Sequence, residues 1–161
     1  MNTFNVEYIL NSLISPSIEV INQMTGLLPE KGAVEKRYDS IMSAGVTTIL
    51  GITGKHKGRF FINMSLKTAR AIAERINGEE FEYIDDTVLY SVTELTNIIS
   101  GKAITLINND FKEYNLRLTP PGVFCGQGIE IAGSSLKVLS LTLKTEVGDI
   151  DVNIGFEGVE I

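Results

Sequence analysis

Cysteine and histidine are almost missing from this sequence: Cys125 and His56 are the only ones in 161 residues. A lone cysteine excludes an intrachain disulfide and fits a reducing cytosol. With no His/Cys cluster and no carboxylate triad at metal spacing, the chain is expected to bind no metal or other cofactor of its own. The same scarcity leaves triad hydrolysis without support. His56 lies in "GKHKG" and reads as a surface residue at a turn tip. Cys125 follows Phe124 near a strand and reads as a small buried side chain.

Basic clusters are lacking too. The 14 Lys and Arg are outnumbered by 20 Asp and Glu, giving a net charge of −6. An acidic chain without a basic patch repels phosphate backbones, so no nucleic-acid partner is expected. No apolar run approaches the ~20 residues that span a bilayer. The opening "MNTFNVEYILNSLISPSIEVINQ" has no Lys or Arg and is interrupted by polar residues throughout, unlike a secretory signal. A cytoplasmic protein with no membrane anchor is the expectation. "GITGKHKG" holds glycines and lysines but not at P-loop spacing, which argues against nucleotide binding.

What is present suits one folded unit. The chain is 43% hydrophobic and 21% charged, and residues 1–161 are expected to form a single domain. Residues 3–25 place Val6, Ile9, Leu10, Leu13, Ile14, Ile18 and Ile21 at spacings of three and four, an amphipathic helix. Pro16 lies inside it and removes a backbone donor, so a kink or break is expected near Leu13. "VEKRYDSIM", "VTTILGITG" and "GRFFINM" read as three antiparallel strands joined by tight turns. A helix follows from the N-cap Ser65 to Gly78. A longer one is capped by Asp85 or Asp86 and runs to about Asn108. "YNLRL", "GIEIAG", "LKVLSLTLKTE" and "GDIDVNIGFEG" return to β texture, about three strands, with a hairpin turn at "EVGD". The order predicts an α+β domain: helices packed on one antiparallel sheet.

The long helix has an unusual wet face. At ~100° per residue, Val88, Val92, Leu95, Ile99, Ala103 and Leu106 form one stripe toward the core. Tyr90, Glu94, Asn97 and Gly101 fall on the opposite side. Polar residues are ordinary on a solvent face. Asn and Gly, however, are both poor helix formers, and Gly costs about 1 kcal/mol relative to Ala.

Glu94-Leu-Thr-Asn97, followed beyond residues 98–119 by Pro120, resembles the E-x2-N-x22-P signature of the CheC/CheX/FliY phosphatases of bacterial chemotaxis. "VTTILGITGKHKGRFFINMS", "SLKTARAIAERINGEE", "ELTNIISGKA" and "LTPPGVFCG" are similar to the segments that surround it in that family. With one motif helix, the chain is most similar to the CheX branch; Glu7 and Asn11, four apart, do not repeat the motif. One departure is Tyr90, where family members often carry Asp or Ser.

The resemblance implies a CheC-like fold, with two long helices on an antiparallel sheet, plus the N-terminal helix. It implies hydrolysis of the aspartyl phosphate on a CheY-type response regulator. An acyl phosphate is already activated, so its catalyst need only place a water in line with phosphorus. Asn97 would hold that water, its neutral carboxamide both accepting and donating. Glu94 would dock to a lysine of the partner. Tyr90, Gly101 and Lys102 would face the partner, and Pro120 would be structural. The Mg2+ would belong to the phosphorylated partner. A homodimer through β-strands is also implied, and "LKVLSLTLKTE" and "DIDVNIGF" would make poorly protected edges. Two alternatives remain at this stage: a non-enzymatic module that binds a response regulator or a flagellar-switch or sensory component, and a phosphatase acting on a regulator outside chemotaxis.

Overall fold

The computed structural model describes residues 5–132 and 136–161. Helix α1 spans Val6–Thr25, starting at Asn5, whose Oδ1 accepts from the Tyr8 N–H at 3.2 Å. The helix passes through Pro16 without a break. That corrects the break expected near Leu13. The absent donor is tolerated because Pro16 is buried in the helix's packed face, between Leu13 and Val20, so packing outweighs one lost hydrogen bond. Residues 3 and 4 of the expected helix lie outside the described residues.

Four strands follow: β1 (Glu30–Arg37), β2 (Ile41–Met42), β3 (Gly45–Thr53) and β4 (Gly58–Ser65). The β3–β4 hairpin pairs Gly45 with Ser65 through Ile52 with Gly58, as the tight turn predicts. The first of the three expected strands behaves differently. Its residues divide into β1, which pairs with β8, and β2, which pairs with β7 in a separate two-stranded sheet. The reason lies in its side chains. β1 reads Glu-Lys-Gly-Ala-Val-Glu-Lys-Arg, too charged for a place beside the buried β3 and suited to an edge.

Helix α2 (Leu66–Asn77) has the expected ends: Ser65 Oγ accepts from the Thr68 N–H at 3.1 Å, and Gly78 is left-handed at φ 67°. Helix α3 (Asp86–Asp110) is capped by Asp85, whose Oδ1 accepts from the Val88 N–H at 2.9 Å. A short 3-10 turn (Lys112–Tyr114) leads to β5 (Arg117–Leu118), β6 (Gly122–Cys125), β7 (Glu130–Ala132), β8 (Lys137–Thr145) and β9 (Gly148–Phe156). The last third thus holds five strands rather than about three, because "YNLRL" and "TPPGVFC" each supply a short one. Gly133, the end of the expected "GIEIAG" strand, lies outside the described residues.

The main sheet runs β1-β8-β9-β4-β3, with β5 and β6 sharing the far side of β3. All its pairings are antiparallel. Leu139, Leu141 and Leu143 of β8, Ile150, Val152 and Ile154 of β9, and Phe60, Ile62 and Met64 of β4 point to one face and join the helices in one core. Phe61 and Val138 point the other way, into a smaller cluster with Ile41, Ile131 and Leu136. The β4–β9 contact is close at Gly58, where a Cβ would stand 2.1 Å from the Gly155 carbonyl oxygen.

One expectation about edges is overturned. β8 lies between β1 and β9, and β9 between β8 and β4, so neither can be an edge. Their low charge marks interior strands, a reading that composition alone does not separate from an unprotected edge. The edges of the main sheet are β1 on one side and the short β5 and β6 on the other.

Candidate functional site

Helix α3 lies on the sheet with α1 and α2 beside it, contacting β3, β4, β5 and β6 beneath. Its buried face consists of Val88, Ser91, Val92, Leu95, Thr96, Ile99, Ser100, Ala103, Ile104 and Ile107. The buried hydroxyls on that face are satisfied within the helix: Thr96 Oγ1 donates to the Val92 carbonyl at 2.9 Å, and Ser100 Oγ to the Asn97 carbonyl at 3.0 Å. The packing face is therefore wide, and it fixes which way the remaining residues look.

Glu94 and Asn97 are both exposed. They stand about 4.5 Å apart along the helix axis and project from neighbouring spots on its surface. Among the described residues, neither side chain has a hydrogen-bond or ion-pair partner. Leu95, between them, is 0% exposed. The pair is therefore carried on a rigid, deeply anchored segment while its own functional atoms are unengaged. Tyr90, one turn earlier, is 71% exposed. Gly101, one turn later, is partly exposed, and a Cβ there would meet nothing within 4 Å. The helix surface is bare at that point.

Lys102 is not a free charge. Its Nζ donates to Glu19 Oε1 of α1 at 3.0 Å. Leu106 departs from the expected core stripe and is 40% exposed. The buried arc of α3 turns toward Ile104 and Ile107 near its C-terminal end, because α1 packs along that flank and leaves Leu106 at the rim of the contact. Ser15, Pro16 and Glu19 of α1 face Gly101, Lys102 and Leu106 across a groove of about 340 Å³. The linear sequence gives no sign that residues 15–19 lie beside residue 101. The only hint is the mismatch of a glycine and a leucine near the end of an otherwise regular stripe.

Pro120 is exposed in the break between β5 and β6. Thr119 secures that break to β3: its N–H donates to the Gly51 carbonyl at 2.9 Å, and its Oγ1 accepts from the Gly51 N–H at 2.8 Å. Pro120 and Pro121 then offer no backbone donor, so pairing with β3 stops at Leu118 and resumes at Gly122.

The other two single residues differ from expectation. His56 is only 9% exposed, its ring packed edge-on against Tyr114 at 4.7 Å between centroids. The turn folds back onto the 3-10 turn that follows α3 instead of projecting into solvent, and burial, with Lys55 adding to it, lowers the imidazole pKa. Cys125 is exposed rather than buried, because β6 is an outer strand there. Among the described residues, no group of three or more His, Cys, Asp or Glu is placed to hold a metal ion, and no helix is long and apolar enough to cross a membrane.

Comparison with known proteins bears on this geometry. A curated relative, the CheY-P phosphatase CheX of Thermotoga maritima, is 26% identical over 149 residues, spanning 91% of this chain and 95% of its own. A CheC-like superfamily protein from Shewanella superposes with a TM-score of 0.84 at 26% identity, covering 96% of this chain and all of the other. The CheX–CheY–BeF3–Mg2+ complex from Borrelia burgdorferi matches with a TM-score of 0.80 at 26% identity, over 92% of this chain and 97% of that one. The family model for chemotaxis phosphatase CheX matches residues 46–144, from β3 through β8, and so takes in all of α3 and the proline break. By sequence and by fold, the chain belongs to the CheX family of chemotaxis phosphatases.

Proposed function

We propose that this protein hydrolyses the aspartyl phosphate of a CheY-type response regulator, with Asn97 orienting the attacking water and Glu94 docking to a partner lysine. The observation that carries this reading is the state of the two side chains: adjacent, exposed and unpartnered, on a helix whose next residue inward is fully buried. The relative named as a CheY-P phosphatase and the complex of a related CheX with CheY support the choice of partner.

In the reaction, the water oxygen bonds to phosphorus and the bond from phosphorus to the aspartyl oxygen breaks. The products are the free aspartate carboxylate of the regulator and inorganic phosphate, which carries away both protons of the water as H2PO4− and can then release one to solvent. Asn97 is neutral and adds no repulsion to the phosphoryl oxygens. Its carboxamide oxygen can accept a hydrogen bond from the water while its NH2 donates elsewhere. Glu94 carries charge where a cation of the partner can meet it, which fixes the helix in register. The Mg2+ belongs to the regulator's phosphorylation site, and this chain supplies no ligand to it. Chemotaxis in the cytoplasm is the setting that follows.

Phosphate release from a phosphorylated CheY-type regulator, measured with and without this protein, tests the reading. Regulator bound with no faster phosphate release would make the chain a non-enzymatic binding module instead. Glu94→Ala should act mainly on affinity: a KM raised about tenfold, with a flatter dependence on salt because a docking charge is gone. A variant that binds the regulator normally yet cannot turn it over would reverse the two roles.

The homodimer belongs to the same proposal, now through β1. That strand is the longest edge of the main sheet, and Val34 and Tyr38 beside it are 36% and 49% exposed. A two-fold pairing of like edges is the commonest closed solution, and it leaves the solvent face of α3 open in each subunit. Sedimentation at micromolar concentration should give twice the chain mass of 17.6 kDa; a clean monomer would end the dimer claim and leave the catalytic one standing.

A further inference from the structure

We propose that the groove between α1 and α3 is where this chain selects its regulator: it receives one apolar side chain of the docked partner, seated over Gly101. This rests on the reading that the partner presents its phosphoryl group to Asn97. Three features of the groove support it.

The first is the glycine. Gly in a helix interior costs about 1 kcal/mol relative to Ala, and at Gly101 an added Cβ would touch nothing within 4 Å. No contact inside this chain requires the missing side chain. The space it leaves serves something outside the chain. The second is Leu106, 40% exposed at the same groove, with Pro16 forming the opposite wall. An apolar floor of this kind gains from covering. The third is the rim. Glu19 and Lys102 meet at 3.0 Å, both side chains about half exposed. An exposed pair like this adds about 0–1 kcal/mol to stability. It does set two charges of opposite sign beside the opening, where a charged neighbour of the entering side chain would be accepted or refused.

Position commits the occupant. Gly101 lies about 6 Å along the helix from Asn97, and Leu106 about 14 Å. A protein interface of ordinary size covers about 800 Å² per partner, a disc of roughly 16 Å radius. A protein that brings a phosphoryl group to Asn97 therefore reaches Gly101, which shares that side of the helix, and with it the mouth of the groove. The two walls also differ in origin. Gly101, Lys102 and Leu106 fall within residues 46–144 matched by the family model, whereas Ser15, Pro16 and Glu19 fall outside it.

The test fills the groove from each side. Gly101→Leu should raise thermal stability, since Leu is the better helix former, so any loss of docking is not a loss of fold. Ser15→Tyr changes only the α1 wall. Binding is read by titrating the protein with a CheY-type regulator carrying BeF3 and Mg2+, and turnover by phosphate release. Both variants should weaken binding and raise KM tenfold or more, with the loss falling on KM rather than kcat. Gly101→Ala, which adds only one methyl to the groove floor, should weaken binding less than Gly101→Leu does. If both large substitutions bind the regulator within twofold of wild type, the inference is overturned. If wild type binds but releases no phosphate, the catalytic reading fails and the groove is still judged by binding. If wild type does not bind the regulator, both fall.

Discussion

Replacing Asn97 by Ala should reduce dephosphorylation of the regulator by at least about a hundredfold, the scale of loss when a reacting group is no longer held in line. The fold should not notice. Asn97 is exposed and its carboxamide bonds to nothing among the described residues. Surface changes of this kind stay within about 0.5 kcal/mol, and Ala is the better helix former. Binding of the regulator in its BeF3 state should remain near wild type, because the docking charge of Glu94 and the groove beyond Gly101 are untouched. Wild-type turnover in this variant would show that water is positioned by some other group.

Leu95→Ala, two residues away, should do the reverse. Leu95 is 0% exposed in the layer between α3 and the sheet. Truncating a buried leucine costs about 2–5 kcal/mol through lost transfer energy and the cavity left behind. That is a large share of the 5–15 kcal/mol that typically holds a domain together. For a chain of this size the thermal midpoint should fall by about ten degrees. Well below that midpoint, turnover per folded molecule should stay within a few-fold of wild type. Thermal unfolding of the two variants side by side checks both statements. A Leu95→Ala midpoint within two degrees of wild type would mean that α3 is not anchored as described.

Local chemistry made parts of this architecture legible in the sequence. Ser65 and Gly78 bound α2 because capping is decided by neighbours three or four residues away. The β3–β4 and β8–β9 hairpins follow from short turns for the same reason. The 100° step alone put Glu94 and Asn97 on the wet side of α3, and the spacing to Pro120 tied them to a family. Partners distant in sequence were not legible. The low charge of β8 and β9 reads equally as an unprotected edge or an interior strand, and only their pairing decides. β1 looks like the neighbour of β3, yet it pairs across the sheet with β8. His56 and Leu106 depart from their local patterns because what covers or uncovers them comes from other segments: Tyr114 for one, the lie of α1 for the other. The groove wall on α1 was illegible for the same cause.

The placement of β9 at the middle of the sheet governs how the protein can be made. β9 pairs with both β8 and β4, so it joins a hairpin formed early in the chain to one formed last. Until residues 148–156 are available, β3 and β4 form a ribbon with one open side; β1 waits for β8, since Glu30 pairs with Lys144, 144 minus 30 or 114 residues later. Helices α1, α2 and α3 are complete before then, but their apolar faces have only part of a sheet to rest on. Such long-range pairing is slow to form, and during synthesis it leaves an unpaired edge and an uncovered helix layer exposed to other chains. The motif helix is thus finished well before the surface that holds it in place, and the face that carries Glu94 and Asn97 is fixed only with the last strand.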